Sequence, residues 1–316
     1  MTAIIDVPVL LIVWRRPWLV KKLISSLRVS SPRKVYVASD GANPDSSNDI
    51  ALVDAVRLIV RDEIDWKCDL RRRYSSFNQG CCDGPRNAIS WFFENVDQGI
   101  ILEEDCVPVP DFVSFSANLL SRYRHDQRVW CISGNCYLRS DFCPGSSYYF
   151  SRYTMTWGWA TWRDRWQQYD PELLQWPAFR DSGLMQQVFE DPYEAAYWAE
   201  IFERTYRHEE PITWWDYQWF FAALSRGALT AVPRCNLVSN IGFGPDATHT
   251  LNPDTPIRPA LPLGQIHHPQ FVVRHRDADT YTYAHHYGGI RRRRLRTLQS
   301  RIARRLSMAM AWLGLK

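Results

Sequence analysis

Between Pro8 and Asp105 short apolar runs alternate with amphipathic stretches, and this pattern limits the chain to few folds. Pro8 to Val13 is continuously apolar, as a strand buried on both faces would be. Pro17 suits the first turn of a helix, and Leu19, Val20, Leu23, Ile24 and Leu27 recur as one helical stripe. Lys34 to Ser39 reads as a second strand, ended by Asp40-Gly41. Leu52, Val53, Val56, Ile59 and Val60 supply a second helical face. The more polar Lys67 to Tyr74 reads as a third strand, Pro85 to Val96 as a third helix, and Gly99 to Leu102 as a fourth strand. This order predicts an α/β fold, a mostly parallel sheet with helices on both faces.

Ligands of such sheets bind beyond the carboxyl ends of the strands. The polar residues collect there: Arg15 and Arg16 after the first strand, Asp40 after the second, Glu103-Glu104-Asp105 after the fourth. Neither GxGxxG nor a P-loop pattern is present, so a glycine-rich loop is not what holds phosphates here. Three acids at a strand end suit a hard Mn2+ or Mg2+ that shares its coordination with diphosphate oxygens. They equally suit a solvated turn, as Asp40-Gly41 suits an ordinary one.

An apolar fraction of 46% over 316 residues is ample for a core, in one large domain or two small ones. No apolar run approaches the roughly 20 residues of a spanning helix. Arg15 and Arg16 follow the first apolar run instead of preceding it, unlike a signal peptide. The expectation is a cytoplasmic protein whose eight cysteines, with no CxxC pair, are reduced and structural. The net charge of +4 is unevenly spread, with Arg291 to Arg294, Arg296, Arg301, Arg304 and Arg305 crowding the tail. Leu295, Leu298, Ile302, Leu306 and Met310 recur there at helical intervals. Residues 290–316 are therefore expected to form a basic amphipathic helix, peripheral on the inner face of an anionic membrane. The alternative is a solvated helix packing its apolar stripe on the domain. Nucleic acid is not an expected partner, because the rest of the chain offers no basic groove.

The segment from Ile100 to Phe112, Ile-Ile-Leu-Glu-Glu-Asp-Cys-Val-Pro-Val-Pro-Asp-Phe, resembles the metal-binding strand of the GT-A glycosyltransferases, most closely the N-acetylglucosaminyltransferase I family. Pro8 to Pro17 resembles that family's first strand, and Ala38-Ser-Asp-Gly its base-reading aspartate. The resemblance covers roughly residues 6–245 and implies a GT-A (nucleotide-diphospho-sugar transferase) fold. By that resemblance Asp105 is the metal ligand, Glu103 and Glu104 lie against the nucleoside and ribose, and Asp40, Arg16 and Arg86 bind the donor, a UDP-sugar first of all. The chain departs from the family in having Glu-Glu-Asp where the family has Glu-Asp-Asp, and the family's Golgi membrane anchor is not expected here. Tyr149 to Trp166 and Asn240 to Thr250 resemble instead bacterial sugar transferases of surface-polysaccharide clusters, which implies a glycan or lipid-linked acceptor.

Most of the fifteen tryptophans lie between Trp157 and Trp219. Trp157, Trp159 and Trp215 are candidates for an acceptor platform, with core packing as the alternative. Asp216 opens an expected helix running to about Arg226, either as its N-cap or, by the resemblance, as the general base. His249 lies in a glycine-rich segment and is a candidate contact to the diphosphate or metal. The adjacent pairs His267-His268 and His285-His286 receive no role. The expected organisation is a nucleotide-sugar half (1–112), an acceptor half of the same domain (113–260) and a C-terminal extension (261–316). An inverting transfer follows. The alternatives are a sugar-phosphate nucleotidyltransferase and a non-catalytic carbohydrate-binding protein.

Overall fold

The computed structural model describes residues 6–139, 141–142, 144–209, 212–244 and 257–295. The chain begins with β1 (Val9–Val13), α1 (Pro17–Leu27), β2 (Lys34–Ser39), α2 (Ser47–Glu63), β3 (Asp69–Tyr74), α3 (Gly80–Asn95) and β4 (Gln98–Glu103). It continues with β5 (Cys106–Pro108), α4 (Pro110–Arg122), β6 (Val129–Ser133), β7 (Tyr148–Ser151), β8 (Trp159–Trp162), α5 (Arg163–Trp166), α6 (Trp176–Asp181), α7 (Leu184–Val188) and α8 (Pro192–Tyr206). It then runs through α9 (Asp216–Leu224), β9 (Leu229–Pro233), β10 (Val238–Asn240) and α10 (Arg276–His285).

Eight strands form one sheet in the order β3-β2-β1-β4-β8-β6-β9-β7. Only β7 and β8 run against the others. The sheet is thus mostly parallel, and the helices cover both faces, as expected of the α/β class. The alternation along β1 explains how. Val9, Leu11 and Val13 join Val20 and Ile24 of α1, Val56 of α2 and Phe115 of α4 in one core layer. Leu10 points the other way, into a layer with Ile89 and Phe92 of α3 and Trp219 of α9. A strand buried on both faces needs apolar residues at every position, and β1 has them. Gly99 permits the close contact of β4 with α3: a Cβ there would lie 2.3 Å from the Phe92 ring.

Helix α3 begins five residues before the proline expected to open it. Pro85 sits inside the helix, and a proline cannot donate to the carbonyl four residues back. That carbonyl belongs to Cys81, at the edge of the cleft described below.

A third core layer lies under the second half of the chain, where Trp176, Trp198, Phe202, Phe220 and Phe221 pack together. Beside it, Arg152 donates to Glu194 at 2.7 Å, and Arg274 and Ser151 both donate to Asp279 at 2.5 Å. This buried ionic cluster fastens α8 and α10 to the end of β7. Burial dominates the carboxyl of Glu194 and pushes it up to about 7, against the pull of Arg152. The cysteines among the described residues are free thiols. No described helix is long and apolar enough to cross a membrane.

Candidate active site

The ends of β1, β2, β3 and β4 open onto one cleft of about 610 Å³. One wall carries Trp14, Arg16, Asp40, Asn78, Gln79 and the acids Glu103, Glu104 and Asp105. Thr156, Trp157, Thr213, Trp214, Trp215, Asp216, Asn240, Gly242 and Phe243 also line the cleft. No lysine lines it.

The turn after β4 holds its acids by several contacts. The Trp14 N–H donates to Glu104 Oε2 at 2.5 Å, and Arg16 pairs with Glu104 through its Nε. The same guanidinium reaches Asp105 Oδ2 at 3.1 Å. Burial opposes the charge of Arg16, but the two adjoining carboxylates outweigh it and hold the group firmly protonated. Burial also raises Glu104, and Arg16 partly offsets this. Among the described residues, Glu103 has no such partner. Burial, then Asp105, then Asp216 push its carboxyl up to about 8. Asp216, at the start of α9, is therefore close enough to act on Glu103.

The strand β10 closes the arrangement. It pairs antiparallel with β5, and the Ile241 N–H donates to the Asp105 carbonyl at 2.9 Å. Gly242 then passes so close that a Cβ would lie 2.1 Å from Asp105 Oδ2. Only glycine fits, which ties the Asn240-Ile-Gly-Phe stretch to the acidic turn.

Of the residues expected in the site, Arg16, Asp40, Glu103, Glu104, Asp105, Trp157, Trp215 and Asp216 line this one cleft. Asp40 does so with its oxygens engaged. It accepts from the N–H groups of Gly41 at 2.8 Å, Gln79 at 2.9 and 3.0 Å, and Gly80 at 3.1 Å. It therefore binds the end of β2 to the start of α3. Arg86 does not line the cleft: it pairs with Asp83 one turn back at 3.1 Å, while Gly84, Pro85 and Asn87 form the wall. Trp159 also departs from expectation. It is 1% exposed and stacks on Trp215 at 5.8 Å, so it is core. Gly158, at φ +66°, lets the chain turn so that Trp157 faces the cleft while Trp159 points into the sheet. Asp216 is the first residue of α9, and Trp215 occupies the cap position, so the carboxylate does not serve as N-cap. His249 lies outside the described residues, as does most of the expected basic helix.

Sequence reasoning passed over Trp14, Trp214, Phe243, Asn78 and Gln79. The signal for the last two was the polar run Ser75 to Gly80 after a strand, placed as the other strand ends are.

Among the described residues, no three His, Cys, Asp or Glu side chains are placed to enclose a metal ion. Asp105, which lines the cleft, suits an open site instead. Such a site takes one or two protein oxygens and completes a hard cation's shell from a bound diphosphate.

The sequence matches no protein-family model and no curated protein. Among solved structures, the chain is similar to a mannosyltransferase, PcManGT from Pyrobaculum calidifontis in complex with GDP-Man and Mn2+. The identity is 15%, over 52% of this chain and 46% of that one, with a TM-score of 0.36. It is similar to residues 1–349 of TarS from S. aureus at 11% identity, over 74% of this chain and 59% of that one, TM-score 0.39. HddC from Yersinia pseudotuberculosis matches at 8% identity, over 52% of this chain and 80% of that one, TM-score 0.30. The chain spans less than two thirds of the mannosyltransferase and TarS chains. These likenesses are distant, and the functional reading rests on the cleft.

Proposed function

We propose that the chain is an inverting glycosyltransferase of the GT-A type. It moves a sugar from a nucleotide-diphosphate donor, UDP-sugars being the expected class, to a hydroxyl of a glycan or lipid-linked acceptor in bacterial surface-polysaccharide synthesis. The observation that carries this reading is the cleft that the strand-end acids and Asp216 line together, close enough for Asp216 to act on Glu103.

The roles follow from position. Asp216 accepts the proton of the acceptor hydroxyl as its oxygen attacks the anomeric carbon. The bond from that carbon to the diphosphate oxygen breaks on the other side, so the configuration inverts. Arg16 fixes Glu104 and Asp105 in place. Glu103, protonated near neutral pH, can donate to a ribose or sugar oxygen. Asp40 holds the start of α3 against the end of β2, which shapes the donor end. Trp157 and Trp214 offer flat faces that bind sugar and exclude water. Asp105 would hold a Mn2+ or Mg2+ ion, which would supply counter-charge to the departing diphosphate.

A screen of nucleotide sugars for hydrolysis, with Mn2+ or Mg2+ and then with chelator, tests the proposal. The expected result is metal-dependent release of a nucleoside diphosphate from one donor class. Release of pyrophosphate from a sugar phosphate and a nucleoside triphosphate would instead mark a nucleotidyltransferase. Glycan binding with no donor turnover would mark a carbohydrate-binding protein.

A further inference from the structure

Trp157 lines the cleft from the turn between β7 and β8, outside any strand or helix, and it is only half-buried. A platform placed on a turn keeps its orientation only where neighbours fix it. Its ring meets three others. Phe243, which lines the cleft with it, lies at 6.0 Å and 65°. Tyr137 at 5.4 Å and 78° and His286 at 6.0 Å and 89° do not line the cleft. These two stack on each other, with centroids 3.4 Å apart and 14° between planes. A pair of parallel rings therefore stands nearly perpendicular to the indole, outside the cleft.

Both members of the pair are anchored. The Tyr137 carbonyl accepts from Arg258 Nη1 at 2.9 Å. His286 directly follows α10, which Ser151 and Arg274 fasten through Asp279, each at 2.5 Å. The next ring, Tyr287, packs on Tyr153 and on Trp198, 5.0 Å from each. Beyond it, Arg292 lies over Tyr197 of α8 at 3.9 Å and Arg293 pairs with Asp191 at 2.5 Å. Burial foremost, and the charge of Asp216 as a lesser cause, raise the hydroxyls of Tyr137 and Tyr287. The pair and the segment thus stand within electrostatic reach of Asp216 as well.

We infer that His286 and Tyr137 are positioning residues for the acceptor platform: as a stacked pair they hold the Trp157 ring in one orientation, so the C-terminal segment governs how a glycan is gripped without touching it. The inference rests on the glycosyltransferase reading of the same cleft. Rings that meet edge to face attract because ring edge and ring face carry opposite partial charge, and the attraction is lost when one ring turns. An aromatic residue at position 286 should therefore serve, whereas a methyl group there would leave the indole unsupported on that side.

The test uses the full chain with indole-labelled tryptophan, observed by NMR. The Trp157 signal is the one that Trp157→Phe removes. It should be a single sharp line in wild type and in His286→Phe, and shifted and broadened in His286→Ala. The probes are p-nitrophenyl glycosides of glucose, galactose, mannose and N-acetylglucosamine. At least one should move the Trp157 signal and bind His286→Ala about three- to tenfold more weakly than wild type, the worth of one aromatic contact. His286→Phe should restore most of that affinity. UDP and GDP with Mn2+ should bind the three proteins alike, which separates a misplaced platform from a damaged fold. The inference fails if the Trp157 line is the same in wild type and His286→Ala, or if His286→Phe disturbs it as much as His286→Ala does. It fails equally if no glycoside moves that line, or if His286→Ala weakens nucleotide and glycoside together. Nucleotide-sugar hydrolysis by the wild type is scored separately. Its absence would remove the transferase reading, whereas its presence with a Trp157 signal indifferent to His286 would remove the positioning role alone.

Discussion

At the residue scale the account depends on which carboxylates carry charge. Five acids of the described residues line one cleft, and Arg16 pairs with two of them, Glu104 and Asp105. Replacing it leaves Glu104 buried without a counter-charge. Arg16→Gln should cost about 3 kcal/mol of stability, the usual consequence of removing one partner of a buried pair. Urea unfolding that shows no loss would contradict the assignment. Asp216→Asn keeps the shape of the wall and removes the proton acceptor. Transfer should fall by about 10²–10⁴-fold while nucleotide binding persists. Near-normal transfer by this variant, or an NMR coupling constant showing retained configuration in the product, would exclude Asp216 as the base of an inverting reaction. Much of this site was readable in the sequence, because residues that follow buried strands are forced to the same sheet edge. The engagement of Asp40 by three backbone N–H groups was not, since it depends on where α3 begins. Nor was the burial of Trp159, which alternates with Trp157 across a glycine of positive φ.

At the scale of elements, strand and helix order was legible as far as β4 because apolar periodicity and turn residues agree there. Lys34–Ser39 reads the same from sequence and structure. The start of α3 was misplaced because Pro85 resembles a first-turn proline, whereas tertiary packing of Ala88, Ile89 and Phe92 carries the helix across it. The β8-β6-β9-β7 half of the sheet gave a weaker signal: its strands are short, and aromatic residues obscure their alternation. The C-terminal segment shows where an element ends and an interaction begins. Residues 289–295 are helical and carry the Arg292 and Arg293 contacts to α8 and its cap. A truncation meant to probe membrane attachment should therefore stop after Leu295. We predict that the full chain sediments with anionic liposomes at low salt and that the chain ending at Leu295 does not, each basic residue near such a surface contributing about 1 kcal/mol. Equal sedimentation of the two would rule out the tail as a membrane contact.

For the whole molecule, the site places a strain on stability that pH should reveal. Glu103 is raised from its ordinary value to about 8, so between about 4.5 and 8 the folded state binds more protons than the unfolded one. Stability should therefore fall as pH rises through that window and level off above it. Glu103→Gln removes the titrating group. It should raise Tm relative to wild type at pH 8 and leave it unchanged near pH 4.5. A constant difference across that range would mean that Glu103 is not the strained group. The same crowding implies that cation and diphosphate bind together, each relieving the charge of the other. Calorimetric titration of UDP and GDP, with and without Mn2+, into wild type and Asp105→Asn tests this most directly. The account predicts that Mn2+ tightens nucleotide binding at least tenfold in the wild type and does nothing in the variant. Equal tightening in both proteins, or nucleotide binding indifferent to Mn2+ in the wild type, would contradict it.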